Sequence, residues 1–229
     1  MKTLTLEQEI KLLSAIGPVD ETCCLAQHYH EKGIYDSFKW KELRNLLAVL
    51  FMLDAGLRVG EVAGLRYPDV YFENQPVKTL CVRKIIAKKH REREIPLTER
   101  IIIVLSHYLP FPALIMDHPF GQALIATKPW GHALTTRTLE RIVTRGGEAA
   151  LGFPVNPHML RHTYATKLMK ITDIRTVQEL LGHKNVSSTQ IYTHVNDEDK
   201  RKAVLDLQGL VISSSGNAPG GQLPGQVNK

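Results

Sequence analysis

The chain has 229 residues, of which 43% are hydrophobic, 23% charged and 7% aromatic, the composition of a folded globular protein and not of a fibrous or disordered one. Its apolar runs, Leu46 to Leu53 and Ile101 to Leu105, are closed by Asp54 and by Ser106 with His107, well short of the roughly 20 residues that span a membrane. Lysine and arginine outnumber aspartate and glutamate by 29 to 23, and the net charge of +6 favours a polyanionic partner.

Met1 to Glu7 acquires polar and acidic side chains where an export signal needs an apolar core. Cys23, Cys24 and Cys81 provide neither an even disulfide framework nor a Cys-x-x-Cys zinc pair, so reduced thiols in the cytoplasm are expected.

Thr5 and Gln8 form a capping-box signature for a helix carrying Leu6, Ile10, Leu13 and Ile16, stopped by Gly17-Pro18. Ser37 is placed to cap a long helix with Trp40, Leu43, Leu47, Leu50 and Phe51 at helical spacing, which Gly56 ends. A short helix follows through Arg58, Glu61 and Leu65. From Tyr67 the text turns β-rich, and Val70 to Phe72, Val77 to Ile86 and Glu94 to Leu97 predict three short antiparallel strands. Residues 78–100 hold eight lysines and arginines against three glutamates, so most of the excess charge falls on one hairpin.

Thr98 is placed to cap a helix through Ile102 and Leu105, and Pro110, Pro112, Pro119 and Pro129 mark irregular chain before a helix around Arg137 to Val143. Asn156-Pro157 starts a helix with His158 at its second position and Arg161 one turn further on the same face. Asp173 caps Ile174 to Leu181, which Gly182 ends, and Ser187 with Gln190 opens a short helix bearing Tyr192. Asp197 to Leu207 reads as a last helix, docked either on a neighbouring subunit or in the chain's own core. Residues 213–229 carry no periodic apolar positions and are expected as a disordered tail. The expected fold is α+β: one mainly helical domain over residues 1–212 with a small three-stranded antiparallel sheet.

Three stretches stand in a distinctive order: Ala55-Gly56-Leu57-Arg58-Val59-Gly60-Glu61, then His158-Met159-Leu160-Arg161-His162-Thr163-Tyr164-Ala165-Thr166, then Leu181-Gly182-His183 with Tyr192 nine positions later. In these the sequence resembles the tyrosine recombinases, the phage-integrase family that includes the Xer and Cre enzymes, from about Thr3 to Val195. The domain over 1–212 would then be the catalytic domain, beginning at Met1 without the helical core-binding domain that most relatives place before it.

Breaking a phosphodiester without metal needs a nucleophile, cations for the two non-bridging oxygens and an acid for the leaving oxygen. Arg58 and Arg161 suit the second task, because guanidinium forks bind phosphate oxygens bidentately. The resemblance implies that Tyr192 attacks, forming a 3′-phosphotyrosyl link and releasing a 5′-hydroxyl. It implies further that His158 takes the tyrosine proton, that His183 hydrogen-bonds the phosphate and that Glu61 orients Arg58. The family's acid is a lysine on the turn before a Val/Ile-Pro-Leu strand. Aligning Ile95-Pro96-Leu97 places it at Lys88, with Lys89 and Lys84 as alternatives, because Ala87 and Lys89 stand where glycines usually flank it.

Expected DNA contacts are Arg58, Lys84, Lys88, Lys89, Arg91 and Arg161. No cofactor and no metal is expected: the bond energy is kept in the phosphotyrosyl link, and His158 and His162, though four apart, have no suitably placed third ligand. The implied partners are double-stranded DNA, a homo-tetramer on two paired sites and an accessory DNA-binding protein, with no membrane. The implied reaction is site-specific integration, excision, resolution or inversion. Two alternatives stand beside it, a DNA-binding regulator on the same scaffold and relaxation of the type IB topoisomerase kind.

Overall fold

Thr5 accepts a hydrogen bond from the Gln8 N–H (3.3 Å) and Gln8 accepts one from the Thr5 N–H (3.0 Å), a reciprocal cap that opens α1 (Leu6–Ile16). The computed structural model describes residues 3–17, 37–73, 75–87, 92–108, 123–128, 131–182, 201–202 and 204–206. Lys88, Lys89, Arg91, His183 and Tyr192, the short helix expected after Ser187 and the tail expected after Ser213 lie outside the described residues.

The buried face of α1 differs from the one its leucines suggest. Glu9, Leu12 and Ile16 point inward while Ile10 is exposed. Glu9 goes inside because Lys167 meets it at 2.8 Å, an ion pair between residues 158 positions apart.

The next helix, α2 (Ser37–Leu53), is buried at every position from Leu46 to Leu53, a stretch that is apolar on all sides. Ser37 is its first helical residue. Around it pack α1, α5 (Glu99–Tyr108), α6 (Thr136–Leu151) and α7 (Pro157–Leu168). The sixth helix runs well past Val143. Its glycine pair does not stop it, and a Cβ on Gly147 would overlap Val155.

Between α2 and α5 come α3 (Val59–Ala63), the single turn α4 (Tyr67–Val70) and four short strands, β1 (Tyr71–Phe72), β2 (Gln75–Pro76), β3 (Thr79–Val82) and β4 (Arg93–Pro96). The α+β class holds, but the three-stranded sheet is replaced by two antiparallel ladders, β1 with β2 and β3 with β4. The Val77 N–H still donates to Val70 O at 2.9 Å, and Lys78 O accepts from the Leu97 N–H at 2.9 Å, so the chain passes from the first ladder to the second between residues 77 and 78.

Three ion pairs tie this region together: Asp54 with Arg100 (2.6 Å), Glu61 with Arg93 (2.8 Å) and Asp69 with Arg83 (2.6 Å). The carboxylates ascend in sequence as the arginines descend, so the two segments run past each other in opposite directions. Three of the eight cations assigned to the hairpin's charge excess are thereby matched by carboxylates from outside it.

Asn156 accepts from the Met159 N–H (2.9 Å) to start α7, a cap worth about 1 kcal/mol. Asp173 accepts from the Arg175 and Thr176 N–H groups to start α8 (Ile174–Leu181). Tyr164 and Leu168 of α7 join Val177, Leu180 and Leu181 of α8 in a second core cluster, which Val204 completes from the chain's own C-terminal part. Among the described residues no helix is long and apolar enough to cross a membrane.

Candidate active site

At the end of α2 the chain reverses through Gly56 at φ +62°, with the Leu57 N–H bonded to Phe51 O at 2.9 Å. Only a glycine fits here: the left-handed backbone disfavours a side chain, and a Cβ would overlap the Tyr164 ring. The reversal delivers Arg58 as the N-cap of α3. Glu61, one turn on, accepts from the Arg58 N–H (2.8 Å) and from its Nη1 (3.2 Å). This carboxylate is almost wholly buried, whereas the Arg58 side chain keeps 22% of its surface.

Arg161 projects from α7 into the same place. Its Nη1 donates to Gly56 O and its Nη2 to Leu181 O, the latter at 2.5 Å. Leu181 is the last residue of α8, where carbonyls lack helical partners and carry negative partial charge, and Gly56 lies in the turn that follows α2. The guanidinium is thereby held between the ends of α2 and α8 with 7% of the residue exposed.

Arg93, which the sequence shows only as one of the eight cations of the hairpin segment, is a site residue that sequence reasoning missed. Its side chain is 4% exposed and grips Glu61 with both forks, Nη1 to Oε1 at 3.0 Å and Nη2 to Oε2 at 2.8 Å. Its Nε donates to Leu180 O at 2.9 Å, so consecutive carbonyls at the end of α8 each accept an arginine. A signal was present: Arg93 shares strand parity with Ile95 and Leu97, both buried, and parity puts all three on the inner face.

Three guanidiniums thus surround one carboxylate. Burial pushes the Glu61 carboxyl up, but the hydrogen bonds and charge of Arg93, the Arg58 N–H and the charge of Arg161 outweigh it and hold the group below its ordinary value. Burial, then the charge of Arg58, pushes the Arg161 guanidinium down to about 9, with Glu61 opposing the shift and Arg93 adding to it. It remains a cation at neutral pH. The electrostatic complement of such a cluster is an anion with several oxygens, the chemistry of a phosphate.

His158 lies on the exposed side of the first turn of α7, one turn before Arg161, and His162 is half-buried. Lys84 is exposed in the turn after β3. The structure therefore gathers Arg58, Glu61 and Arg161, sets His158 on the same helix as Arg161 and leaves Lys84 on the hairpin surface. Among the described residues no group of three or more histidines, cysteines or carboxylates could hold a metal ion. The Cys81 thiol donates to Glu92 at 3.2 Å and is pushed up to about 11 by burial and by that carboxylate.

Residues 27–199 match the model of the phage integrase family. The chain belongs to the phage integrase family. A tyrosine recombinase XerC from Listeria monocytogenes is 35% identical over 175 residues, covering 75% of this chain and 56% of that protein. The chain therefore spans little more than half the length of that relative. Among solved structures, XerA recombinase superposes with a TM-score of 0.58 at 26% identity, over 90% of this chain and 65% of the other. A pre-cleavage complex of XerH site-specific recombinase bound to difH substrate gives 0.56 at 25% identity, over 81% of this chain and 48% of the other.

Proposed function

We propose that this integrase-family chain is a site-specific DNA recombinase that breaks and rejoins double-stranded DNA through a 3′-phosphotyrosyl intermediate. The observation that carries the reading is the buried cluster in which Arg58 and Arg161 converge from separate helices beside Glu61. The likeness to XerC recombinases and to a recombinase bound to its DNA substrate supports it.

Arg58 and Arg161 bind the two non-bridging oxygens of the scissile phosphate and neutralise the charge that grows as the phosphorus takes a fifth oxygen. His158 takes the proton of Tyr192, whose Oη forms the new bond to phosphorus. His183 hydrogen-bonds the same phosphate. Lys88 gives a proton to the departing 5′-oxygen, and Lys84, Lys89 and Arg91 hold the flanking backbone. Attack by a 5′-hydroxyl of the partner strand reverses the sequence of bonds, so two strands are exchanged with no net loss of phosphodiester energy. On two paired sites the active form is a homo-tetramer, with an accessory DNA-binding protein aiding its loading.

The test is a nicked suicide substrate, from which the leaving fragment diffuses away after cleavage. The wild-type chain is expected to give a covalent adduct on denaturing gels, while Tyr192→Phe binds the same DNA and gives none. An adduct persisting in Tyr192→Phe would refute the assignment.

A further inference from the structure

We propose that Arg93 is a positioning residue that sets the geometry of the phosphate-binding arginines, an inference that rests on the recombinase reading for its reaction but not for its geometry. Arg93 leaves strand β4, closes a two-point fork on Glu61 of α3 and donates its remaining Nε–H to Leu180 O of α8. One planar group thus joins three elements, β4, α3 and α8.

Each contact bears on a residue assigned to phosphate. Glu61 holds both the backbone N–H and the Nη1 of Arg58, so fixing the carboxylate fixes the arginine beside it. Leu181, next to the carbonyl that Arg93 holds, accepts from Arg161. Gly182 follows at φ +64°, and a Cβ built there would lie 3.1 Å from Arg93 Cδ, so the arginine stem also packs against the turn that leads to His183.

Charge number alone does not explain this arrangement. A lysine would match Glu61 as a point charge, but it could not offer two parallel N–H groups to the carboxylate and a third to Leu180 O. A guanidinium with 4% exposure and all three of its nitrogens engaged is fixed in orientation. Its task is geometric, and small displacements of catalytic groups are costly, about 100-fold in rate for a shift near 1 Å.

Two variants test the proposal: Arg93→Lys, and Arg93→Gln combined with Glu61→Gln. The double variant removes the buried carboxylate that the single change would leave without its main partner, and so keeps the fold accessible. Two readouts are taken on each variant that retains a cooperative melt. The first is the rise in melting midpoint on replacing chloride by inorganic phosphate at constant ionic strength. The second is single-turnover cleavage of a suicide substrate carrying either an ordinary scissile phosphate or a methylphosphonate, which has one non-bridging oxygen fewer and no charge.

The expected result is that Arg93→Lys and the double variant lose most of the phosphate-induced rise. On the ordinary substrate they bind DNA within about threefold of wild type and cleave about 100-fold more slowly. On methylphosphonate the deficit shrinks, because less is asked of the arginines. A phosphate response equal to wild type, cleavage within about threefold of wild type, or a deficit of the same size on both substrates would overturn the positioning role. If the wild-type chain shows the phosphate response and Arg93→Lys loses it, yet no chain cleaves DNA, the positioning role stands and the recombinase reading fails.

Discussion

The guanidinium of Arg161 donates a hydrogen bond to the carbonyl of Gly56, joining residues 105 positions apart at the point where α2 reverses. The carbonyl is available because Gly56 adopts the left-handed conformation, and that turn in turn presents Arg58. The backbone turn and the placing of both arginines are coupled at a single residue.

Gly56→Ala is therefore expected to lower stability by about 2–4 kcal/mol, through the left-handed backbone and the overlap with the Tyr164 ring. DNA cleavage should fall with it, since the Arg161 acceptor moves. Gly60→Ala is the control: a Cβ there meets nothing within 4 Å, and stability should stay unchanged or rise by up to about 1 kcal/mol. Chemical denaturation of both variants checks the contrast, and equal losses would contradict it.

Inorganic phosphate should stabilise the protein in the absence of DNA. At tenfold above its dissociation constant the gain is about 1.4 kcal/mol, which for a chain of this size is a rise of a few degrees in melting midpoint. Arg58→Ala should abolish that rise with little loss of fold, because its side chain is partly exposed. An undiminished response in Arg58→Ala would place the anion elsewhere.

Acid should weaken the same cluster. The folded protein holds the Glu61 carboxyl below 4.5, so on acidification the unfolded chain takes up this proton first. Its stabilising contribution is complete above about pH 5 and is lost as the pH falls through the folded value. Glu61→Gln should cost about 3–5 kcal/mol at pH 7, and the gap to wild type should narrow towards pH 3. Denaturant titrations at the two pH values decide it, and a constant gap would count against the assignment.

Local signals explain much of what the sequence revealed. Thr5 with Gln8, Asn156-Pro157, and Asp173 with Gly182 each fix a helix end through bonds within a few residues, and each appears in the structure where the sequence places it. Arg58 and Arg161 were legible through motif order. What escaped depended on partners far along the chain: Glu9 is buried by Lys167 and Arg93 by Glu61, and neither pairing leaves a periodic trace. The sheet was misjudged for a different reason, since a run of β-formers does not show where the chain passes from one ladder to the next.

The most direct test of the central claim is to digest the trapped protein–DNA adduct and identify, by mass spectrometry and end analysis, which peptide carries the nucleotide. The account predicts a peptide containing Tyr192 joined to a 3′-phosphate, with a free 5′-hydroxyl on the released strand. DNA attached to any other residue, or a 5′-phosphoryl link with a free 3′-hydroxyl, would contradict it.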